Sequence, residues 1–413
     1  MKPDWSPGEE HERFTQWAKS KGVIVNEVGP ARFPGRGLGM IALRSIQENE
    51  ATVRVPRQVM LTVEDIPSSF ANKFAEGTPV HTLLAAFLCN GAPEDLEPYE
   101  VWKKTWPTRK DFEDCMPILW PDEFRSESAS LLPPSISGRW RTLPGEKKLK
   151  YEYESSHQNI LEQQERRLRG AWETVISVFP ETDWESFSYH WLIVNTRCFY
   201  YLMPGQEPPE DRNDAMALLP FADYFNHSDI ACNVIFDGEE YVFRATKAYE
   251  AGEEIFMSYG PHPNDFLFTE YGFYLDENES ESLYLDDIIF QDLSPSLQEE
   301  LQLQQYYGNY QLTATGVCYR TEIAASIKYM PLEDWQNYAL GYSTKGIDEK
   351  KSEDIIRGWI RTYQREAEAA VDELGTLNSR EINQEHQGKV QMLLNRWKQI
   401  KELCRIALER VSC

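Results

Sequence analysis

The chain has 413 residues, with 42 Lys+Arg against 67 Asp+Glu, a formal charge of −25, 41% hydrophobic residues and 13% aromatic residues. This is a globular composition and excludes a disordered chain; the length predicts two or three domains with a sizeable core. No run approaches 18 consecutive apolar residues, the N-terminal MKPDWSPGEE has no signal-peptide core, and the acidic balance argues against direct nucleic-acid binding, which needs Lys/Arg patches.

From the N-terminus, Ser6-Pro7-Gly8-Glu9 predicts a helix start with Ser6 at the N-cap, and Phe14, Trp17 and Ala18 supply its apolar face. Gly22 is its expected stop, and Val23-Ile24-Val25 follows as a short β-rich run. Phe33-Pro34-Gly35-Arg36-Gly37-Leu38-Gly39 is a tight glycine turn. Met40–Ile46 and Ala51–Val55 are expected strands. The glycine run superficially echoes a dinucleotide loop. That reading needs a buried strand before it and a helix after it; residues 29–34 do not read as a buried strand, and Met40–Ile46 is strand-like.

Residues 59–185 change character. Leu83–Leu88 is a helical core piece, 133–150 is loop-like, and 155–179 and 184–201 are expected helices. Short β-like runs return over 217–275, at Asn233–Phe236, Tyr241–Ala245 and Ile255–Ser258, with Asp237-Gly238 as a hairpin signal. Beyond 280 the chain is helical again. The stretch 309–323 is a candidate hairpin, and Val390, Leu393, Leu394, Trp397, Ile400, Cys404, Ala407 and Val411 mark one helix face.

The seven cysteines, Cys89, Cys115, Cys198, Cys232, Cys318, Cys404 and Cys413, form no C-x-x-C pair. Structural zinc and a disulfide framework are not expected, and a reducing compartment, cytosol or nucleus, is. The charge is concentrated: residues 201–300 hold 23 acidic and 3 basic residues, a net of −20. A solvated surface accounts for this, as does a field that attracts a basic partner.

Three features stand out in order: the glycine turn Gly37-Leu38-Gly39, the pair Asn226-His227 inside the apolar stretch 219–228, and Gly252-Glu253-Glu254-Ile255 leading to Ser258-Tyr259-Gly260 and then Tyr271-Gly272-Phe273. Together these resemble the SET-domain lysine methyltransferases, in the branch typified by the Rubisco large-subunit methyltransferase. The resemblance covers about residues 20–275 well and the rest by position and helical character. It implies an α+β fold. Residues 1–58 would hold the N-terminal helix and the first part of the SET domain, 59–185 a helical insertion, 186–278 the rest of the SET domain, and 279–413 a mostly helical C-terminal domain suited to substrate docking.

The resemblance also implies S-adenosylmethionine as cofactor. Arg36, Gly37 and Leu38 would hold its amino-acid end, and Asn226 and His227 its methionine and adenine side. Arg197 would pair with its carboxylate, a task suited to a guanidinium, although a structural salt bridge explains Arg197 equally well. Tyr259 matches the catalytic tyrosine and also lines the cofactor, with Tyr271 and Phe273 as pocket walls. Asp223, Tyr200 and Tyr201 are the implied substrate contacts.

The chemistry needs no metal and no protein nucleophile: lysine, with a pKa of about 10.4 in water, must lose its proton in a desolvating channel. The expected partner is a basic, non-histone protein, with no membrane, no nucleic acid and a monomeric enzyme. Histidine as acceptor, or a SET-like scaffold without catalysis, are the competing expectations.

Overall fold

The computed structural model describes residues 5–34, 36–125, 131–143, 155–378 and 384–410. The chain divides into two compact units, Met1–Phe112 with Glu165–Pro261, and Glu113–Gln164 with His262–Cys413. The stretch 59–185 is therefore shared between them.

Among its described residues the first unit has nine strands: β1 (Ile24–Val25), β2 (Val28–Phe33), β3 (Gly37–Ala42), β4 (Ala51–Pro56), β5 (Cys198–Tyr200), β6 (Met216–Leu218), β7 (Asn226–Phe236), β8 (Glu240–Arg244) and β9 (Glu254–Met257). Seven form one sheet in the order β1-β4-β8-β7-β9-β3-β2, and β5 and β6 form a separate hairpin. Within the large sheet only β7 and β9 run parallel, pairing Asn226 with Phe256 and His227 with Met257. That pairing brings two motifs about 30 residues apart in sequence to adjacent backbones. The β7–β8 turn is the predicted Asp237-Gly238. Gly238 takes φ +100°, and Asp237 Oδ1 accepts from the N–H groups of Glu239 and Glu240, both at 2.9 Å.

Several boundaries differ from expectation: a strand precedes the glycine turn, β3 runs Gly37–Ala42, β7 starts at Asn226, the helix expected over 155–179 spans Ile160–Val178, and two further helix boundaries shift. The first helix spans Glu9–Ser20 with Gly8, not Ser6, at its N-cap. Gly8 sits at φ +121°, a conformation that favours glycine, and Glu9, Glu10 and Glu12 follow in the dipole-favoured first turn. The helix expected over 184–201 ends at Arg197. Asp183 caps its start by accepting from Ser186 N–H at 2.8 Å. At its end, Cys198-Phe199-Tyr200 finds strand partners in Leu218, Ala217 and Met216, so sheet pairing overrides helical spacing.

The second unit carries a small sheet, β10 (Leu283–Tyr284), β11 (Gln311–Thr313) and β12 (Gly316–Val317), and two long helices, Glu349–Asn378 and Gln384–Arg410, packed on each other. The expected hairpin at 309–323 is confined to β11 and β12; Tyr319–Ser326 is helical. The predicted face of the last helix is buried from Val390 through Ala407, whereas Val411 lies outside the described residues. Beside it, the buried Arg396 donates to Asp265 at 2.7 Å and Glu281 at 2.9 Å. Among the described residues no helix is long and apolar enough to cross a membrane.

Candidate active site

The glycine turn, the start of β7 and the residues after β9 converge in the first unit. Phe33 pairs with Gly37 across the β2–β3 turn, and Gly37 takes φ +75°. Gly39 is required for a different reason. A Cβ there would strike Glu254 Oε1 and come within 2.7 Å of Asn226 Nδ2 and 2.9 Å of Phe33 Cε2.

Asn226 is fixed by two acceptors. Its Nδ2 donates to the Leu38 carbonyl at 2.9 Å and to Glu254 Oε1 at 2.7 Å. Both amide hydrogens are thus engaged, and Oδ1 is left as an acceptor on the other side. The second oxygen of Glu254 pairs with Arg36 Nη2 at 2.9 Å, and that guanidinium also lies over the Phe33 and Phe256 rings. Burial pushes the Glu254 carboxyl above its ordinary range, while the Asn226 bond and the Arg36 charge oppose it.

Tyr259 is held at three points. Its N–H donates to His227 Nδ1 at 3.0 Å, its ring stacks on the His227 imidazole at 5.2 Å, and its hydroxyl donates to the Phe225 carbonyl at 2.7 Å. Burial of the hydroxyl pushes its pKa up to about 12, so the phenol is neutral throughout the physiological range. Burial also lowers the pKa of His227, against the pull of Asp229 and the Met257 carbonyl, and the ring is neutral as the bond from Tyr259 requires.

This gives a pH dependence with a definite sign. The unfolded chain takes up a proton at His227 before the folded one does. Stability from this group is therefore complete above about 6.5 and falls as pH drops toward the folded value. Below that value the Tyr259 anchor should loosen, and the tyrosine band in near-ultraviolet circular dichroism should change before global unfolding. An unchanged band down to the onset of unfolding would remove His227 as the anchor.

Asp223 lies beside this group, its side chain almost entirely buried. It accepts from Trp102 Nε1 at 3.1 Å and faces Arg197 Nε at 3.6 Å, while Arg197 Nη1 donates to its backbone carbonyl at 3.1 Å. Burial raises its carboxyl pKa, and Arg197 is the main opposing influence. The preceding Phe221 is fully buried at φ +73°, a left-handed conformation costly for an aromatic residue, and the surrounding packing holds it there.

The sequence-implied residues thus fall into three places. Arg36, Gly37, Leu38, Asn226, His227 and Tyr259 are joined through Glu254, the Phe225 carbonyl and the β7–β9 pairing, and Arg197 and Asp223 form the adjoining ion pair. Tyr200 and Tyr201 lie at the end of the β5–β6 hairpin. The Tyr200 carbonyl accepts from Tyr241 Oη, and Tyr201 Oη accepts from Arg57 Nε at 2.8 Å. Tyr271 and Phe273 belong to the second unit, where their rings lie 6.3 Å apart.

Sequence reasoning did not single out Glu254 or Trp102. Glu254 had a signal, an acid at the head of an apolar strand inside a quoted motif. Trp102 had none, because its contact spans 121 residues.

The residues fit a zwitterionic amino-acid end. Asn226 Oδ1 can accept from an ammonium, the backbone of 36–38 is open at Gly37, and the Arg197 guanidinium can meet a carboxylate. A sheet that brings a glycine turn, an Asn-His strand and an anchored tyrosine together defines a methyltransferase scaffold that uses S-adenosylmethionine. The chain belongs to the SET-domain family, whose model matches residues 37–260. A second model, the ribosomal lysine N-methyltransferase 2 C-terminal domain, matches residues 281–410.

Among curated relatives, the ribosomal lysine N-methyltransferase set11 of Schizosaccharomyces pombe is 27% identical, over 86% of this chain and 88% of that protein. Human SET domain-containing protein 4 is 25% identical, over 87% and 82%. Among solved structures, the SET domain of LSMT bound to methyllysine and AdoHcy superposes with a TM-score of 0.60 over 98% of this chain and 94% of that one, at 13% identity. Rubisco LSMT bound to AdoMet gives the same score. These likenesses share the fold found here.

Proposed function

We propose that this protein is a protein-lysine N-methyltransferase acting on a basic, non-histone protein such as a ribosomal protein or translation factor. The observation that carries this reading is the Tyr259 hydroxyl anchored on the Phe225 carbonyl next to the enclosed Arg197–Asp223 pair. The relatives named for ribosomal lysine methylation support the substrate class.

S-adenosylmethionine supplies a methyl group on a sulfonium. The chain's part is to bind, orient and exclude water. Arg36–Leu38, Asn226 and Arg197 hold the cofactor's polar ends. With its proton directed at the Phe225 carbonyl, the Tyr259 oxygen would turn lone-pair density toward the partial positive charge of a transferring methyl. A desolvated channel beside Tyr259 would favour the neutral form of an incoming amine and hold it facing the sulfonium methyl that the bound cofactor would supply. Asp223, near the amine position, would orient the acceptor, whose proton passes to solvent as it enters the channel.

Labelled S-adenosylmethionine incubated with the protein and an extract lacking it should label a basic protein on lysine, identified by fragment-ion mass spectrometry. Label on histidine, or none, would overturn the assignment. The net acidic charge of residues 201–300 predicts a further asymmetry. Raising salt from low to about 0.5 M, which shortens the Debye length to a few ångströms, should lower kcat/KM for the protein substrate far more than for a short neutral peptide. A parallel response would return that charge to a role in solubility.

A further inference from the structure

An open cleft of about 420 Å³ lies in the first unit at the loop end of the β5–β6 hairpin. Val63 and Met216 contribute apolar wall, Tyr201 stands buried at one side, and Glu64, Glu207 and Asp214 lie exposed around it. No lysine or arginine is among its described lining. Among the described side chains, Arg57 lies nearby; it donates its Nε to Tyr201 and senses Glu64 and Asp65. Asp214 is held in place: its Oδ1 accepts from Val80 N–H at 3.1 Å, which fixes where the carboxylate lies.

An apolar wall edged by three carboxylates suits a long side chain with a cationic head, which places its methylene stem on the wall and its charge beside the carboxylates. The location adds register. β5 begins next to Arg197, whose guanidinium touches Asp223, and ends next to Tyr201 in the cleft wall. Four residues of extended chain span roughly 13 Å. A substrate lying extended along the hairpin, with its acceptor at Asp223 and Tyr259, would bring a residue about four positions away to the cleft.

We infer that this cleft receives a lysine or arginine side chain of the substrate, about three to five positions from the methylated residue. The inference rests on the protein-methyltransferase reading, and it turns a general preference for basic proteins into a positional one.

Binding tests it without turnover. Fluorescein-labelled Gly/Ser peptides would carry unreactive norleucine at the acceptor position and either arginine or alanine about three to five residues away. Fluorescence anisotropy should show the arginine peptide binding about fivefold to tenfold more tightly at one of those positions. The triple variant Glu64→Gln/Glu207→Gln/Asp214→Asn keeps an amide oxygen at position 214 that can still accept from Val80 N–H. It should bind both peptides alike while melting like the wild type. Equal affinities in the wild type, or a preference that survives in the variant, would overturn the pocket. Replacing norleucine by lysine and adding labelled S-adenosylmethionine tests the underlying reading separately. A lack of transfer there would count against lysine methylation, while the anisotropy result still decides the cleft.

Discussion

Replacing Tyr259 by phenylalanine is expected to lower kcat for methyl transfer by about 10²–10³, the scale for losing one preorganised polar group at a transition state, and to leave S-adenosylmethionine affinity nearly unchanged. The change removes the hydroxyl alone. The backbone bond from Tyr259 N–H to His227 Nδ1 and the ring stacking on His227 do not depend on it, so the sheet junction stays in place. What is lost is an oxygen oriented by donation to the Phe225 carbonyl.

The raised pKa separates two roles for that oxygen. With its pKa pushed up to about 12, Tyr259 stays protonated where the enzyme works and cannot serve there as a general base. The pH–rate profiles of the wild type and the Phe variant should therefore have the same shape, displaced in height, with the alkaline rise set by the substrate amine. Rapid single-turnover measurements between about pH 7 and 10, the tyrosine reference value, would show this. An ionisation near that value in the wild type alone would make Tyr259 the base. An undiminished rate in the Phe variant would remove it from catalysis.

The sequence was most informative where function forces a local signature. Glycine is required at Gly37 by its backbone angle and at Gly39 by crowding, and Asn226, His227 and Tyr259 lie in motifs whose order survives in the fold. It was least informative where partners are distant. The parallel pairing of β7 with β9 makes neighbours of Asn226 and Phe256, and nothing local to either residue encodes that pairing. Trp102 meets Asp223 only because the helical segment carrying it folds back onto the strand region. The helix end at Arg197 is not legible locally, because Phe199 and Tyr200 fit a helical spacing as well as a strand. The choice is made by β6, sixteen or more residues further along. The same limit applies to Glu254. Its position heading a strand was visible, but its simultaneous hold on Asn226 and Arg36 depends on the glycine turn crossing over it.

Arg197 is where the sequence left two explanations standing, and the geometry supplies the experiment that separates them. The guanidinium is largely buried and faces an Asp223 side chain that is only 2% exposed. Arg197→Ala strands that carboxyl, and breaking a buried pair from one side typically costs about 3–5 kcal/mol. The loss should depend on pH. Burial already raises the Asp223 pKa, and removing Arg197 removes the main influence holding it down. In the variant the folded state therefore holds a proton on Asp223 that the unfolded chain gives up. Its stability should fall as pH rises above the ordinary carboxylate range, and the deficit against the wild type should be larger at pH 8 than at pH 5.

Adding Asp223→Asn removes the stranded charge, and urea denaturation followed by tryptophan fluorescence should show most of the stability restored. S-adenosylmethionine affinity, measured by calorimetry on this stabilised double variant, then isolates the second role. If Arg197 meets the cofactor carboxylate, affinity stays roughly tenfold to a hundredfold weaker than wild type, the worth of a charged hydrogen bond. If affinity returns with stability, Arg197 is a structural partner of Asp223 alone. The cofactor carboxylate must then be held by the backbone of the glycine turn.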